Sequence, residues 1–228
     1  MNMLRCVCYG LLAAGCGQSA FEPNYNPTPV FSTPTVITNV HLPLSSLAQD
    51  VLEGTEAGSP AKVVRTRVPG TLAFTVDGQQ VQTVIVVDSA FVSSQLVEVA
   101  HDYFAQSDNG DVYYFGEDVD LYTNGQITSH EGAWRFGVNT TTLGLLFPAT
   151  PKVGDKFRSE SVPGVTQEND EVVSVSETVT VPTGTYQNCV KIREMIPGEA
   201  DEFKLYAPGV GVIQEIPADG QVALKSHT

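Results

Sequence analysis

The sequence predicts an all-β domain, a single antiparallel and strongly curved sheet, half-barrel or barrel, of about a dozen strands. Three observations point there. Short segments rich in β-branched and aromatic residues follow one another from residue 37 to the end of the chain. Hairpin-turn pairs punctuate them at Asp77-Gly78, Asn109-Gly110 and Asn124-Gly125, residues that accept the positive φ of tight turns. Helical periodicity is weak throughout, which leaves no crossover helices for a parallel sheet. Alternation along ETVTV (177–181) and QNCVKIRE (187–194) gives each strand one dry and one wet face, so the sheet curls around a core.

The chain opens with MNMLRC, where Arg5 supplies a positive charge, and continues with an apolar run over residues 6–15 too short to span a bilayer. Leu12, Ala13, Ala14, Gly15 and Cys16 resemble the bacterial lipobox, in which small residues precede a cysteine that becomes the lipidated mature N-terminus. The expected division is a lipoprotein signal peptide over 1–15, a lipid-anchored Pro-rich tether over 16–36, and the β domain over 37–228. Ordinary signal cleavage, leaving a soluble secreted protein, is the alternative. The tether carries Pro23, Pro27, Pro29 and Pro34 among Asn, Ser and Thr, a composition that buries too little apolar surface to fold. Extended at about 3.1 Å per residue, some twenty such residues would reach roughly 60 Å.

Within the domain, LSSLAQDVLEG (44–54) is the one candidate helix, with Leu44, Leu47, Val51 and Leu52 at helical spacing and Gly54 as its C-cap. Strands are expected at 61–68, 71–76, 80–88, 94–106, 111–122, 127–137, 155–162, 170–181, 184–196, 201–207 and 209–216.

With 12 basic and 26 acidic residues the net charge is −14, and no Lys/Arg cluster exists, which excludes nucleic acid as a partner and disfavours adsorption to anionic lipid. Such acidity serves solubility or, more sharply, a divalent cation. Cys6 and Cys8 lie in the signal and Cys16 would carry lipid, so Cys189 alone remains in the domain, without a disulfide partner and fit to be a small buried hydrophobe. The sequence has no nucleophile elbow, HExxH, phosphate loop or dinucleotide fingerprint, and no cofactor is expected. His41, His101, His130 and His227 are scattered. The acidic stretch with Asp108, Asp111, Glu117, Asp118 and Asp120 lacks calcium-loop spacing, and Asp108 and Asn109 read as turn residues.

The segments FAQSDNGDVYYFGEDVD, SHEGAW, PKVGDKFRSE, ETVTVPTGTYQNCVKIRE and YAPGVGVIQE, in that order, resemble a family of exported bacterial proteins with no established activity, over residues 41–216. The closing TVTVPTGTYQNCVKI and YAPGVGVI also look like the ends of lipoprotein-carrier and other periplasmic half-barrel domains, which implies a fold and names no ligand. Glu117, Glu131, Glu160, Glu194 and Lys204 stand where the resembled family carries the same residue types. On a shared concave face they would bind a cation or polar ligand; the alternative is solvent-facing charges on alternate strand positions. Tyr113, Phe115, Trp134, Phe136, Tyr186 and Tyr206 line either a pocket or the core.

The candidate ligand-binding set is therefore Glu117, Glu131, Trp134, Glu160, Glu194, Lys204 and Tyr206, with a metal left open. The expected function is a non-catalytic, lipid-anchored domain of the bacterial cell envelope, at the outer membrane or cell surface, binding an apolar or amphipathic ligand or another envelope protein. An envelope enzyme or divalent-cation binder using the strand carboxylates is the second reading, and a purely structural surface lipoprotein the third.

Overall fold

The computed structural model describes residues 21–228, and these form 14 strands and no helix. The strands are β1 (Gln49–Glu56), β2 (Ser59–Val76), β3 (Gln79–Val92), β4 (Gln95–Gln106), β5 (Val112–Thr123), β6 (Gln126–Ser129) and β7 (Trp134–Arg135). They continue with β8 (Gly144–Phe147), β9 (Lys156–Val162), β10 (Thr166–Val181), β11 (Gly184–Met195), β12 (Glu202–Ala207), β13 (Gly211–Ile216) and β14 (Gly220–His227). All belong to one antiparallel sheet in the order β6-β5-β4-β3-β2-β1-β14-β13-β12-β11-β10-β9, with β7 and β8 also pairing along β5.

Turn chemistry sets much of this meander. Asp77-Gly78 and Asn124-Gly125 close two-residue hairpins with φ pairs of 48° and 81° and of 51° and 75°, both residues left-handed as a type I′ turn needs. Ala57-Gly58 and Ser93-Ser94 make the same kind of turn without the Asn or Asp signal. Asn109-Gly110 does not: it lies in a longer loop, where Asn109 Oδ1 accepts the Asp111 N–H at 3.2 Å.

Three expectations about elements are corrected. Residues 44–54 are not helical: Ser46 N–H bonds to Pro43 O at 3.0 Å in a turn that drops Leu44 and Leu47 into the core, and β1 then buries Asp50 and Leu52 on one side at period two. Gly54 is not a cap but a point of close approach, where an added Cβ would lie 1.9 Å from the Gln221 carbonyl oxygen on β14. The segments 61–68 and 71–76 are one strand, β2, bulged at Pro69-Gly70, where the register against β3 shifts between Val68 and Thr71. β8 and β14, absent from the expected strands, are short or mixed in composition and carry weak alternation.

The sheet curves strongly. Across β1 and β14, the Arg65 side chain on β2 reaches Glu215 on β13 at 3.5 Å. From the other side β8 leans on the far end of the sheet: the Phe147 and Tyr206 ring centroids are 4.7 Å apart, and a Cβ on Gly144 would sit 1.9 Å from Ser159 O on β9. The two ends approach there without a hydrogen-bonded ladder, so the sheet is curved but not closed. Its inner face holds the core, with Trp134, Tyr114, Phe115, Phe147 and Phe157 among the most buried side chains.

The expected signal peptide at 1–15, the expected lipidation site Cys16 and residues 17–20 lie outside the described residues. From Phe21 the Pro-rich stretch is held against the domain rather than free of it. Arg158 donates to Phe21 O at 2.9 Å, Tyr25 OH to Asp111 at 2.9 Å, and the Phe31 ring packs on Tyr113 and Phe115 with centroids 5.7 Å away. Of its three aromatic side chains, Tyr25 and Phe31 pack against the core and the Phe21 ring lies under the Arg158 guanidinium. Cys189 is buried and unpaired.

Candidate functional site

Curvature turns alternate positions of most strands toward one interior, and several of those positions are charged. Among the described residues nine carboxylic acids are buried against two bases, Arg65 and Lys204. An uncompensated buried charge costs several kcal/mol, so this excess of acid must be protonated or neutralised.

On one wall Asp50, Arg65 and Asp88 stand side by side, opposite one another in the β1/β2 and β2/β3 registers. Arg65 Nε donates to both Asp88 oxygens at 3.2 and 3.3 Å, its second arm points at Glu215, and Asp50 contacts His227 Nδ1 at 2.6 Å. Burial pushes the Asp88 carboxyl up to about 6 despite Arg65, with Glu215 adding to the rise.

The opposite wall belongs to β9 to β12. Lys204 Nζ donates to Glu194 Oε1 at 2.9 Å, whereas Glu194 Oε2 is buried without a hydrogen-bond partner. Asp170 lies across the ladder from Glu194, and Glu168 across from Glu160. Ser159 ties this corner together, donating its hydroxyl to Glu168 at 2.9 Å and its N–H to Asp170 at 3.2 Å. Burial pushes Glu194 up to about 7 against the pull of Lys204, and it drives Asp170 well above the ordinary range, with Glu168 and Glu194 reinforcing it.

Between the walls, Tyr114 OH donates to Asp102 Oδ1 at 2.7 Å, leaving Asp102 Oδ2 buried without a partner. The Trp134 ring stands edge-on to Tyr114 at 5.2 Å, and its Nε1–H is likewise buried and unpaired. Glu160 receives a hydrogen bond from Thr166. Burial and then the Glu160 and Asp102 carboxylates raise Glu117 well above its usual range.

A cavity of about 20 Å³, room for a water molecule, opens between Arg65, Lys204, Tyr206 and the apolar side chains of Leu42, Val86, Phe104 and Val212.

Of the seven candidate residues, Trp134, Glu160, Glu194, Lys204 and Tyr206 are buried and Glu117 is half-buried. Glu131 is exposed in the turn between β6 and β7, where its N–H bonds to Ser129 Oγ at 3.0 Å, and it does not join them. For Glu160, Glu194 and Lys204 the alternative of solvent-facing charges fails, because they occupy the core phase of their strands. Tyr113, Phe115, Trp134 and Tyr206 belong to the core, while Phe136 and Tyr186 pack at its margin.

Sequence reasoning missed Arg65, Asp88, Asp102, Glu168, Asp170 and Glu215. The signal was present: Val63-x-Arg65, Val86-x-Asp88 and Ala100-x-Asp102 put a charge on the buried phase of an apolar alternation. In the acidic stretch, Asp108 receives the Ser32 N–H and hydroxyl, each at 2.7 Å. Asp111 takes the Ala149 N–H at 2.6 Å, Asp118 pairs with Arg135 and Asp120 faces His130 at 2.8 Å, so these four aspartates are occupied locally.

This interior can hold positive charge, and its carboxyls with raised proton affinity can take up protons when no other cation is present. Neither models of known protein families, nor curated proteins, nor solved structures match the chain.

Proposed function

We propose that the protein is a lipid-anchored cell-envelope receptor whose curved sheet binds a small cationic ligand, a metal ion or an amine, on its acidic inner face without catalysis. The observation that carries this is the excess of buried acid over base, with Asp102 Oδ2 and Glu194 Oε2 left unpaired. An acyl chain would leave those carboxyl oxygens without a partner, whereas a cation would supply one. We therefore prefer a cationic ligand to the apolar or amphipathic one, or the envelope protein, expected from address, fold pattern and the lack of catalytic motifs.

The address rests on Cys16. With Phe21 already held against β9, five residue steps remain to the lipid, at most about 18 Å of chain, so the anchored domain would sit close to the membrane with the start of β9 toward it. Mass spectrometry of the protein purified from its host under native conditions tests both halves. The expected species begins at Cys16 with acyl groups attached and carries a small adduct released by acid. A chain without acyl groups removes the anchor, and an acid-resistant fatty-acyl adduct removes the cationic ligand.

A further inference from the structure

We infer that Glu168 and Asp170 on β10 and Glu194 on β11 form a binding site for one calcium-sized divalent cation, an inference that rests on the acidic-receptor reading and specifies its ligand.

One carboxylate oxygen from each residue lies within 4.8 Å of the others, and all three residues are buried. Three atoms no further apart than that share a point at most about 2.8 Å from each, so the 2.3–2.6 Å of calcium–oxygen bonds lies within a few tenths of an ångström. Calcium accepts irregular oxygen cages, whereas magnesium demands near-ideal octahedral order that three carboxylates on two paired strands do not by themselves supply.

A second observation points to the missing charge. Glu194 is 4% exposed, and while Oε1 takes the Lys204 ammonium at 2.9 Å, its Oε2 has no hydrogen-bond partner. A carboxylate oxygen sealed from water and left unpaired in a hydrogen-bonded interior is where a ligand is expected. All donors are oxygens, which suits a hard cation and disfavours zinc or copper.

The backbone makes the site rigid. Asp170 and Glu194 face each other across the β10/β11 ladder, and Ser159 fixes the two β10 carboxylates from the neighbouring strand, its hydroxyl on Glu168 at 2.9 Å and its N–H on Asp170 at 3.2 Å. Ligands on adjacent strands of one sheet are spaced by the ladder itself, so little ordering is required on binding.

Calorimetric titration of the full chain, stripped with chelator, tests the site. One Ca²⁺ per chain is expected, with Mg²⁺ at least ten-fold weaker. Asp170→Asn should weaken Ca²⁺ at least ten-fold, whereas Glu131→Gln in the exposed turn should leave it unchanged. Absence of Ca²⁺ uptake by the wild type, or equal uptake by Asp170→Asn, overturns the site. Should Asp170→Asn unfold, Lys204→Gln decides: loss of the competing ammonium should tighten Ca²⁺, and unchanged or weaker binding overturns the proposal. Binding of an alkyl diamine without Ca²⁺ overturns this site and leaves the acidic receptor standing; binding of neither cation removes both.

Discussion

Raising the pH from about 4 to 7 should lower the melting temperature of the chelator-treated protein by roughly 5–10 °C. Asp88 carries most of the argument. Burial raises its carboxyl from an ordinary 3.8 to about 6 in the folded state, so the native protein holds a proton that the unfolded chain has released. A group raised on folding contributes stability that is complete below its unfolded value and is lost as pH rises through the folded one. For Asp88 the window runs from about 4 to just above 6, and its loss amounts to roughly 3 kcal/mol. Asp102, raised well above the ordinary range by burial and by Asp88, acts in the same direction. Asp118 acts oppositely, since hydrogen bonds from Arg135 and Tyr103 outweigh its burial and hold it low, but it is exposed enough for solvent to screen the effect. A flat or rising profile would contradict the account, and Asp88→Asn should flatten it.

Arg65→Met should cost about 3–5 kcal/mol at pH 8, the penalty for leaving buried carboxylates without their cation. Arg65 is 4% exposed and serves Asp88 directly, Glu215 at 3.5 Å and Asp50 across the ladder, so its removal uncovers negative charge on three strands at once. The packing loss is small, because methionine retains much of the apolar stem. Denaturant unfolding should find most of the cost relieved at pH 5, where Asp88 is protonated, and largely restored by adding Asp88→Asn. A loss of similar size at both pH values would place the role of Arg65 in packing rather than charge.

The legible part of the fold was the part written in period two and in turn chemistry. Asp77-Gly78 and Asn124-Gly125 marked hairpins correctly because type I′ geometry selects those residues. Ser93-Ser94 makes the same turn against local preference, held by the long β3/β4 ladder on either side. Residues 44–54 misled because a turn followed by a strand happened to place four apolar side chains at helical spacing; pairing with β2 and β14 overrode it. Of the site, Glu160, Glu194 and Lys204 were found, yet their burial depends on curvature that brings β8 against β9 and β12, which no local pattern encodes. Glu131 shares their chemistry but sits in a turn, and a carboxylate in sequence does not disclose whether its strand has ended.

The most direct test of the central claim is a melting experiment on the chelator-treated full chain at pH 8 with three additives in turn: Ca²⁺, a short alkyl diamine and a fatty acid. A ligand at about one hundred times its dissociation constant stabilises by about 2.7 kcal/mol, or roughly 5–10 °C here. The acidic interior predicts that at least one cation raises the melting temperature by that amount and that the fatty acid does not. Stabilisation by the fatty acid with indifference to both cations would contradict it.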